Sequence, residues 1–195
     1  MTEAEWTREE RRLKGAITRA KNKVVKLGLL AEETTMRFFH GSNDETKVGS
    51  IWVGQGDAYD ANWSSADFYA ALEKYRPSGF LAHKDAVFMV GHPDDIDLAG
   101  GGTEWACELK PLAPVSKHDL NWSSEISCLL GDGFQLDSCE VRLAAESYWS
   151  GLPHPNESVW EYLTAKAEVI RVEPYETFEL TFSENINSSA SGMRM

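Results

Sequence analysis

The segment Ser158-Val159-Trp160-Glu161-Tyr162-Leu163 places one glutamate among apolar and aromatic side chains. β-Branched and aromatic residues of this kind predict a strand. A lone carboxylate in an apolar strand is costly to bury unless it is paired, hydrogen-bonded or functional. Glu161 is therefore the first candidate for a functional residue. A plain salt bridge is the alternative, with Lys166 or Arg171 as the partner.

A second short strand, Arg37-Phe38-Phe39-His40-Gly41-Ser42, delivers a histidine into a tight turn. The aromatic pair predicts a strand over 36–40, and the Gly-Ser dipeptide predicts the turn. The histidine can cap that turn or contact a ligand, and the local sequence leaves both roles open. His40 and Glu161 together form the hypothesis for a site.

Composition limits the class of protein. The 195 residues suffice for one compact domain with its own core and an appendage. The three cysteines, Cys107, Cys128 and Cys139, have no C-x-x-C spacing, so neither a disulfide framework nor a zinc site is expected. No apolar run approaches the roughly 20 residues of a membrane span. These features predict a soluble cytoplasmic protein without a membrane partner.

The net charge of −12 is unevenly distributed. Residues 1–26 hold eight Lys/Arg against four Glu, whereas residues 27–195 carry a balance of −16. An acidic body repels nucleic acid and argues against a general DNA- or RNA-binding surface. The basic N-terminal segment is expected to contact nucleic acid or an acidic partner, or else to fold back as a solvated helix on its own acidic domain.

Hydrophobic periodicity and capping signals predict an α+β fold. Three regions are expected: a basic N-terminal helix at 1–33, a main domain at 34–182 and a flexible tail at 183–195. Helices are predicted over 2–30, 64–76, 123–130 and 136–149, strands over 36–40, 49–53, 86–90, 105–109, 158–163 and 167–172, and a loop over 54–62.

Two further motifs favour local structure over chemistry. Asp94, Asp95 and Asp97 lack the regular ligand spacing of a calcium loop, so helix capping explains them better and no metal is predicted. The run Gly100-Gly101-Gly102 lacks the spacing of a phosphate-binding loop and is expected to be a flexible connection.

Four stretches of the chain follow one another in a distinctive order. They are Phe39-His40-Gly41-Ser42, Ala86-Val87-Phe88-Met89-Val90 with Pro93-Asp94-Asp95-Ile96-Asp97, Lys117-His118-Asp119-Leu120, and Tyr148-Trp149-Ser150-Gly151 leading to Trp160-Glu161-Tyr162-Leu163. Together they resemble the ADP-ribosyltransferase fold, and more closely a group of uncharacterised proteins of tailed phages. The resemblance spans roughly residues 36–173. It implies a split mixed/antiparallel β-sheet core with flanking helices, preceded by the N-terminal helix.

The resemblance implies that NAD is the substrate and that ADP-ribose passes to a host protein or nucleic acid. Glu161 would be catalytic, since a carboxylate near the ribose stabilises the oxocarbenium-like charge that appears when nicotinamide leaves. His40 and Gly41 would hold the adenosine ribose and the nicotinamide amide, with Ser42 assisting. One aromatic side chain is expected to pack on the nicotinamide ring, and the candidates are Phe88, Tyr69 and Tyr75.

Two departures from the family pattern bear on activity. Val159 stands where arginine-modifying members carry a second Glu or Gln, which disfavours arginine as the acceptor. The middle motif around Ala82-His83 lacks the expected Ser-Arg or Ser-Thr. The alternatives are an NAD glycohydrolase that uses the same site, or a catalytically inactive acidic phage protein that binds a host factor or a virion component. A phage-encoded protein would act in the host cytoplasm.

Overall fold

The computed structural model describes residues 36–63, 66–99 and 101–178 of this α+β protein. The predicted basic helix at 1–33 and the predicted tail at 183–195 lie outside the described residues. None of the helices in the described ranges has the length and apolar character needed to cross a membrane.

A single seven-stranded sheet forms the framework of the domain. Every strand pair among the described residues is antiparallel, so the mixed form of the predicted sheet is wrong and the antiparallel form is correct. The strands are β1 Phe38–Ser42, β2 Ile51–Val53, β3 Val87–Val90, β4 Trp105–Pro111, β5 Val115–Asp119, β6 Trp160–Thr164 and β7 Lys166–Pro174. The order across the sheet is β2-β7-β4-β1-β3-β6-β5.

The neighbouring strands β1 and β3, near the middle of the sheet, share only a short paired segment. β1 meets β3 at one register pair, Phe39 with Val90, whereas β1 pairs with β4 along its whole length. The sheet is thus nearly divided into a half made of β2, β7, β4 and β1 and a half made of β3, β6 and β5. His40 lies next to this division, on the strand that borders it.

Four α-helices and two 3-10 helices lie between the strands, and the last described residues, 175–178, are also helical. Residues 54–62 were predicted as a loop, and that prediction is wrong for most of the segment, because a helix begins at Asp57. Its acidic first turn complements the helix dipole, and Tyr59 is the buried side chain among residues 57–62. The segment therefore lacks the apolar periodicity that predicts a helix. The helices are α1 Asp57–Trp63, α2 Asp67–Lys74, α3 Leu120–Gly131 and α4 Cys139–Trp149, with 3-10 helices at His83–Asp85 and Pro93–Ala99.

Two other predictions of local structure need comment. The second helix begins after Ala66, whose side chain makes no capping hydrogen bond, and the predicted cap Ser64 lies outside the described residues. The sequence did not predict β5, because Val115-Ser116-Lys117-His118-Asp119 carries too many polar residues for a strand signal. Pairing with β6 along its whole length compensates for that weak local preference.

The strand period of two assigns Glu161 to the face of the sheet that the helices cover. Tyr162 packs with Met89 and Cys107 in one core cluster, whereas Leu163 packs with side chains from α2, α3 and α4 in another. Since side chains alternate along a strand, Glu161 shares its face with Leu163. This face lies under the helix layer, and the carboxylate is therefore removed from bulk water.

Candidate functional site

Glu161 occupies an interior position of the sheet. Its register neighbours are Val90 on β3 and His118 on β5. The residue is 3% exposed, and the Tyr148 hydroxyl donates a hydrogen bond of 2.5 Å to its Oε1. Arg171, one of the two salt-bridge partners that the sequence allowed, instead pairs with Glu173. Glu161 is therefore held by a neutral donor.

Burial raises the pKa of Glu161 to about 7. The hydrogen bond from Tyr148 acts in the opposite direction and lowers this pKa, and the nearby carboxylate of Asp119 raises it. A carboxyl group with a pKa close to neutrality changes its charge in the physiological range. Perturbation of this kind is typical of functional sites.

His40 is a partly buried imidazole that is neutral at physiological pH. Burial lowers its pKa, and a hydrogen bond to the Phe88 carbonyl raises it by a smaller amount. His40 Nδ1 lies 2.9 Å from that carbonyl oxygen, which can only accept, so the proton of the neutral ring is on Nδ1. Nε2 then carries the lone pair. His40 thus offers a hydrogen-bond acceptor, and the edge-on ring of Trp52 fixes its orientation.

A cavity of about 210 Å³ brings three of the predicted site residues together: His40, Phe88 and Glu161. The ring of Phe88 stacks on that of Tyr59 with a centroid separation of 5.8 Å and an interplanar angle of 10°. The cavity is thus an aromatic-walled pocket with a carboxylate. Its lining residues are His40, Gln55, Tyr59, Phe68, Leu72, His83, Phe88, Leu98, Leu120, Ser123 and Glu161.

The other predicted site residues lie outside this lining. Ser42 bonds locally to the backbone of Asp44, and the Tyr75 hydroxyl donates to the Leu136 carbonyl at 3.3 Å. Gly41 is buried against the glycine loop, where the Gly102 carbonyl fills the space that a Cβ would need. The role of Gly41 in the structure is thus a close approach of two backbone segments.

Tyr69, the remaining aromatic candidate, does not line the cavity but packs against Tyr59, which does. Its ring lies 5.3 Å from that of Tyr59, edge to face, and its hydroxyl donates to Asp60. The sequence analysis missed Tyr59 itself, because it lies in the segment predicted as a loop.

Tyr148 and His83 are the functional candidates that sequence reasoning overlooked. Tyr148 lies at the end of α4, fully buried, with its backbone carbonyl 3.0 Å from His118 Nδ1 and its ring stacked on His118. His83 Nε2 lies 2.9 Å from the Tyr148 hydroxyl oxygen. The Tyr-Trp-Ser-Gly motif marked this helix end in the sequence, but only the fold brings its tyrosine to Glu161.

A second buried carboxylate, that of Asp119, holds the loop before β6 in place by hydrogen bonds. Asp119 Oδ2 accepts the backbone N–H of His154 at 2.7 Å, and Oδ1 accepts those of Val159 and Asn121 at 3.2 and 3.1 Å. The Trp122 indole also donates to the Leu152 carbonyl at 2.8 Å. Residues 152–159 are thus fixed at both ends beside the strand that carries Glu161.

A larger cavity of about 600 Å³ lies between residues 76–85 and the start of β5. Its lining is mainly apolar, and its cation Arg76 is paired with Glu73. Within the ranges that the structure describes, no cluster of His, Cys, Asp or Glu is arranged to hold a metal ion. The smaller cavity around Glu161 is therefore the candidate site.

Neither of two comparisons with known proteins identifies a relative of this chain. No family model matches the chain, and a search of curated proteins finds no significant similarity. The functional argument consequently depends on the site itself.

Proposed function

We propose that this protein is an ADP-ribosyltransferase-like enzyme that takes NAD as its substrate, with Glu161 as the catalytic carboxylate. The observation that carries the proposal is the shared cavity of His40 and Glu161, with the Phe88 and Tyr59 rings in the same wall. A nearly divided antiparallel sheet, with His40 at its division, agrees with the fold that the sequence resemblance implies.

The hydrogen-bonding character of the cavity favours a ligand rich in donors. The unprotonated His40 Nε2 and the ionised Glu161 carboxylate are both hydrogen-bond acceptors. Ribose hydroxyl groups and a carboxamide NH₂ are donors of the kind that such acceptors bind. The stacked aromatic wall provides an apolar surface for a flat ring such as nicotinamide.

Electrostatics favour a cationic ring next to Glu161. The oxidised nicotinamide ring is positively charged, and an opposite charge within a few ångströms stabilises the ionised carboxylate. Binding of NAD would therefore lower the pKa of Glu161 from its value of about 7 in the free protein. The carboxylate would be ionised when the reaction begins.

The reaction breaks the bond between ribose C1′ and the nicotinamide nitrogen, and the bonding electron pair leaves with nicotinamide. Positive charge then develops on the ribose, where a buried carboxylate stabilises it more strongly than in water. The acceptor forms the new bond to C1′ with its lone pair and releases a proton. Water in place of the acceptor gives the glycohydrolase reaction with the same residues.

Cavity size limits what part of the dinucleotide is enclosed. Sites that enclose whole drug-sized ligands have volumes of roughly 300–1,000 Å³. The cavity of about 210 Å³ suits the nicotinamide ring and its ribose, with the rest of NAD outside. The anchored loop 152–159 is beside β6, and we assign it the contact with the acceptor.

The test is turnover of labelled NAD in the presence of bacterial lysate. Transfer of label and release of nicotinamide should both be lost in Glu161→Gln. The exposed Glu125→Gln on α3, outside the cavity lining, is the matched control and should retain both. Nicotinamide release without transfer would favour the glycohydrolase, and the absence of NAD binding by calorimetry would exclude the enzyme and favour a binding protein.

A further inference from the structure

The hydrogen bonds of three buried side chains form one directional chain. Glu161 Oε1 accepts from the Tyr148 hydroxyl at 2.5 Å, and the Tyr148 oxygen lies 2.9 Å from His83 Nε2. A tyrosine hydroxyl has one proton. When Glu161 is ionised, that proton points to the carboxylate, so the contact with His83 requires a proton on Nε2.

The other nitrogen of His83 agrees with this tautomer. His83 Nδ1 is closed to solvent and has no hydrogen-bond partner among the described residues. Burial lowers the pKa of His83 to about 3, so the ring is neutral and carries one proton. Placement of that proton on Nε2 satisfies the contact with Tyr148, whereas a proton on Nδ1 would leave a buried donor unpaired.

We propose that His83 and Tyr148 are positioning residues that orient and acidify Glu161, with His83 Nε2–H donating to Tyr148 and Tyr148 donating to the carboxylate. The first hydrogen bond strengthens the second, because a hydroxyl whose oxygen accepts a hydrogen bond is polarised and becomes a better donor. The chain also fixes the direction of the carboxylate within the cavity that His83 itself lines.

Other groups around the chain leave this assignment intact. His118 stacks on Tyr148, but its own nitrogens bond to the Tyr148 carbonyl and to the Ser116 hydroxyl. Aromatic rings surround His83 on several sides and supply no acceptor for a proton on Nδ1. The titratable and charged groups facing Glu161 or His83 are Tyr148, His118, Asp119, Tyr59, His40, Tyr69, Glu73 and Arg76.

The first experiment measures the chain in the free protein. Nitrogen-15 spectra of histidine-labelled protein should show His83 neutral with its proton on Nε2, and a proton on Nδ1 would overturn the proposal. Carbon-13 spectra of glutamate-labelled protein should show Glu161 titrating near pH 7. The Glu161→Gln spectrum assigns the signal.

Variants then test each link. Tyr148→Phe should raise the midpoint of the Glu161 titration by about one pH unit or more, since a charge-assisted hydrogen bond is lost. His83→Phe should raise it by a smaller amount, and His83→Gln, whose amide can donate to Tyr148, should remain closer to the parent. Tyr75→Phe, which loses a hydroxyl outside the cavity, is the control and should not shift it.

The outcomes separate this inference from the proposed function on which its catalytic meaning rests. If Tyr148→Phe leaves the midpoint of the Glu161 titration unchanged, the proposed hydrogen-bond chain is wrong. It is also wrong if Tyr148→Phe shifts the midpoint and His83→Phe does not. If the midpoints shift as expected and the parent does not turn over NAD, the hydrogen-bond chain is supported and the proposed function fails. If NAD turns over, its pH profile should shift by the same amounts as the titration.

Discussion

The Tyr148 hydroxyl donates a 2.5 Å hydrogen bond to Glu161 from a helix on one side of the core to a strand on the other. Both residues are buried, and no ion pair neutralises the carboxylate among the described contacts. Burial of such a group costs stability when it is charged and little when it is protonated. The protonation of Glu161 therefore makes the stability of the fold depend on pH.

We expect Glu161→Gln to stabilise the protein at neutral and alkaline pH. The carboxyl pKa is about 7 in the folded protein and 4.5 without the fold, so folding takes up a proton between these values. The parent then loses about 3 kcal/mol of stability as pH rises from 4.5 to 7. Urea unfolding at pH 5 and pH 8 should show the advantage of the variant growing with pH, and an equal advantage at both would contradict the assignment.

NAD turnover should increase as pH rises through the Glu161 pKa. The ionised carboxylate stabilises positive charge on the ribose, and the protonated form cannot. In the free enzyme this transition lies near pH 7, so kcat/KM should rise about tenfold per pH unit below it and level off above it. The profile of kcat should have a lower midpoint, because bound NAD favours the ionised form. A flat profile over pH 5–8 would argue against Glu161.

His40→Asn should weaken NAD binding more than it slows the chemical step. The asparagine amide can still donate to the Phe88 carbonyl, as His40 Nδ1 does, but the variant lacks the Nε2 acceptor. We expect KM to rise about tenfold, since a hydrogen bond to a neutral partner contributes about 1 kcal/mol and an unpaired ligand hydroxyl costs more. His92→Asn, which removes a histidine outside the cavity lining, is the control. Equal losses in both variants would remove the assignment of His40.

Asp119→Asn should loosen one end of the loop before β6 selectively. Its Oδ2 accepts the His154 N–H, and replacement by an amide NH₂ removes that acceptor while Oδ1 still accepts the Val159 N–H. Hydrogen exchange at His154 should accelerate at least tenfold, with a smaller change at Val159. Asp119→Ala should release both and cost about 1–3 kcal/mol. The exposed Asp137→Asn should leave both amides protected.

Gly41→Ala should destabilise the domain by about 2 kcal/mol or more, because the new Cβ would overlap the Gly102 carbonyl and the Ile96 side chain. The control is Gly131→Ala at the end of α3, where a Cβ meets no atom within 4 Å. That change should be neutral or stabilising by up to about 1 kcal/mol. Thermal unfolding compares the two, and similar melting temperatures would show that the glycine loop yields to the methyl group.

Sequence patterns located most of the strands and helices, because they depend on short-range periodicity. The strands that carry His40 and Glu161 and the helix that ends at Trp149 all formed near their predicted positions. Failures occurred where the local signal was weak. α1 depends on Tyr59 packing under its polar surface, and β5 depends on pairing with β6.

The sequence by itself determined that Glu161 is a carboxylate in an apolar strand and that His40 ends another strand, since residue type and alternation are local properties. Only the tertiary structure decided that the two share a cavity, that Tyr148 rather than a cation holds Glu161, and that His83 completes the chain. These relationships depend on contacts between segments distant in sequence. Burial, which sets the pKa of Glu161, exists only once those segments have packed together.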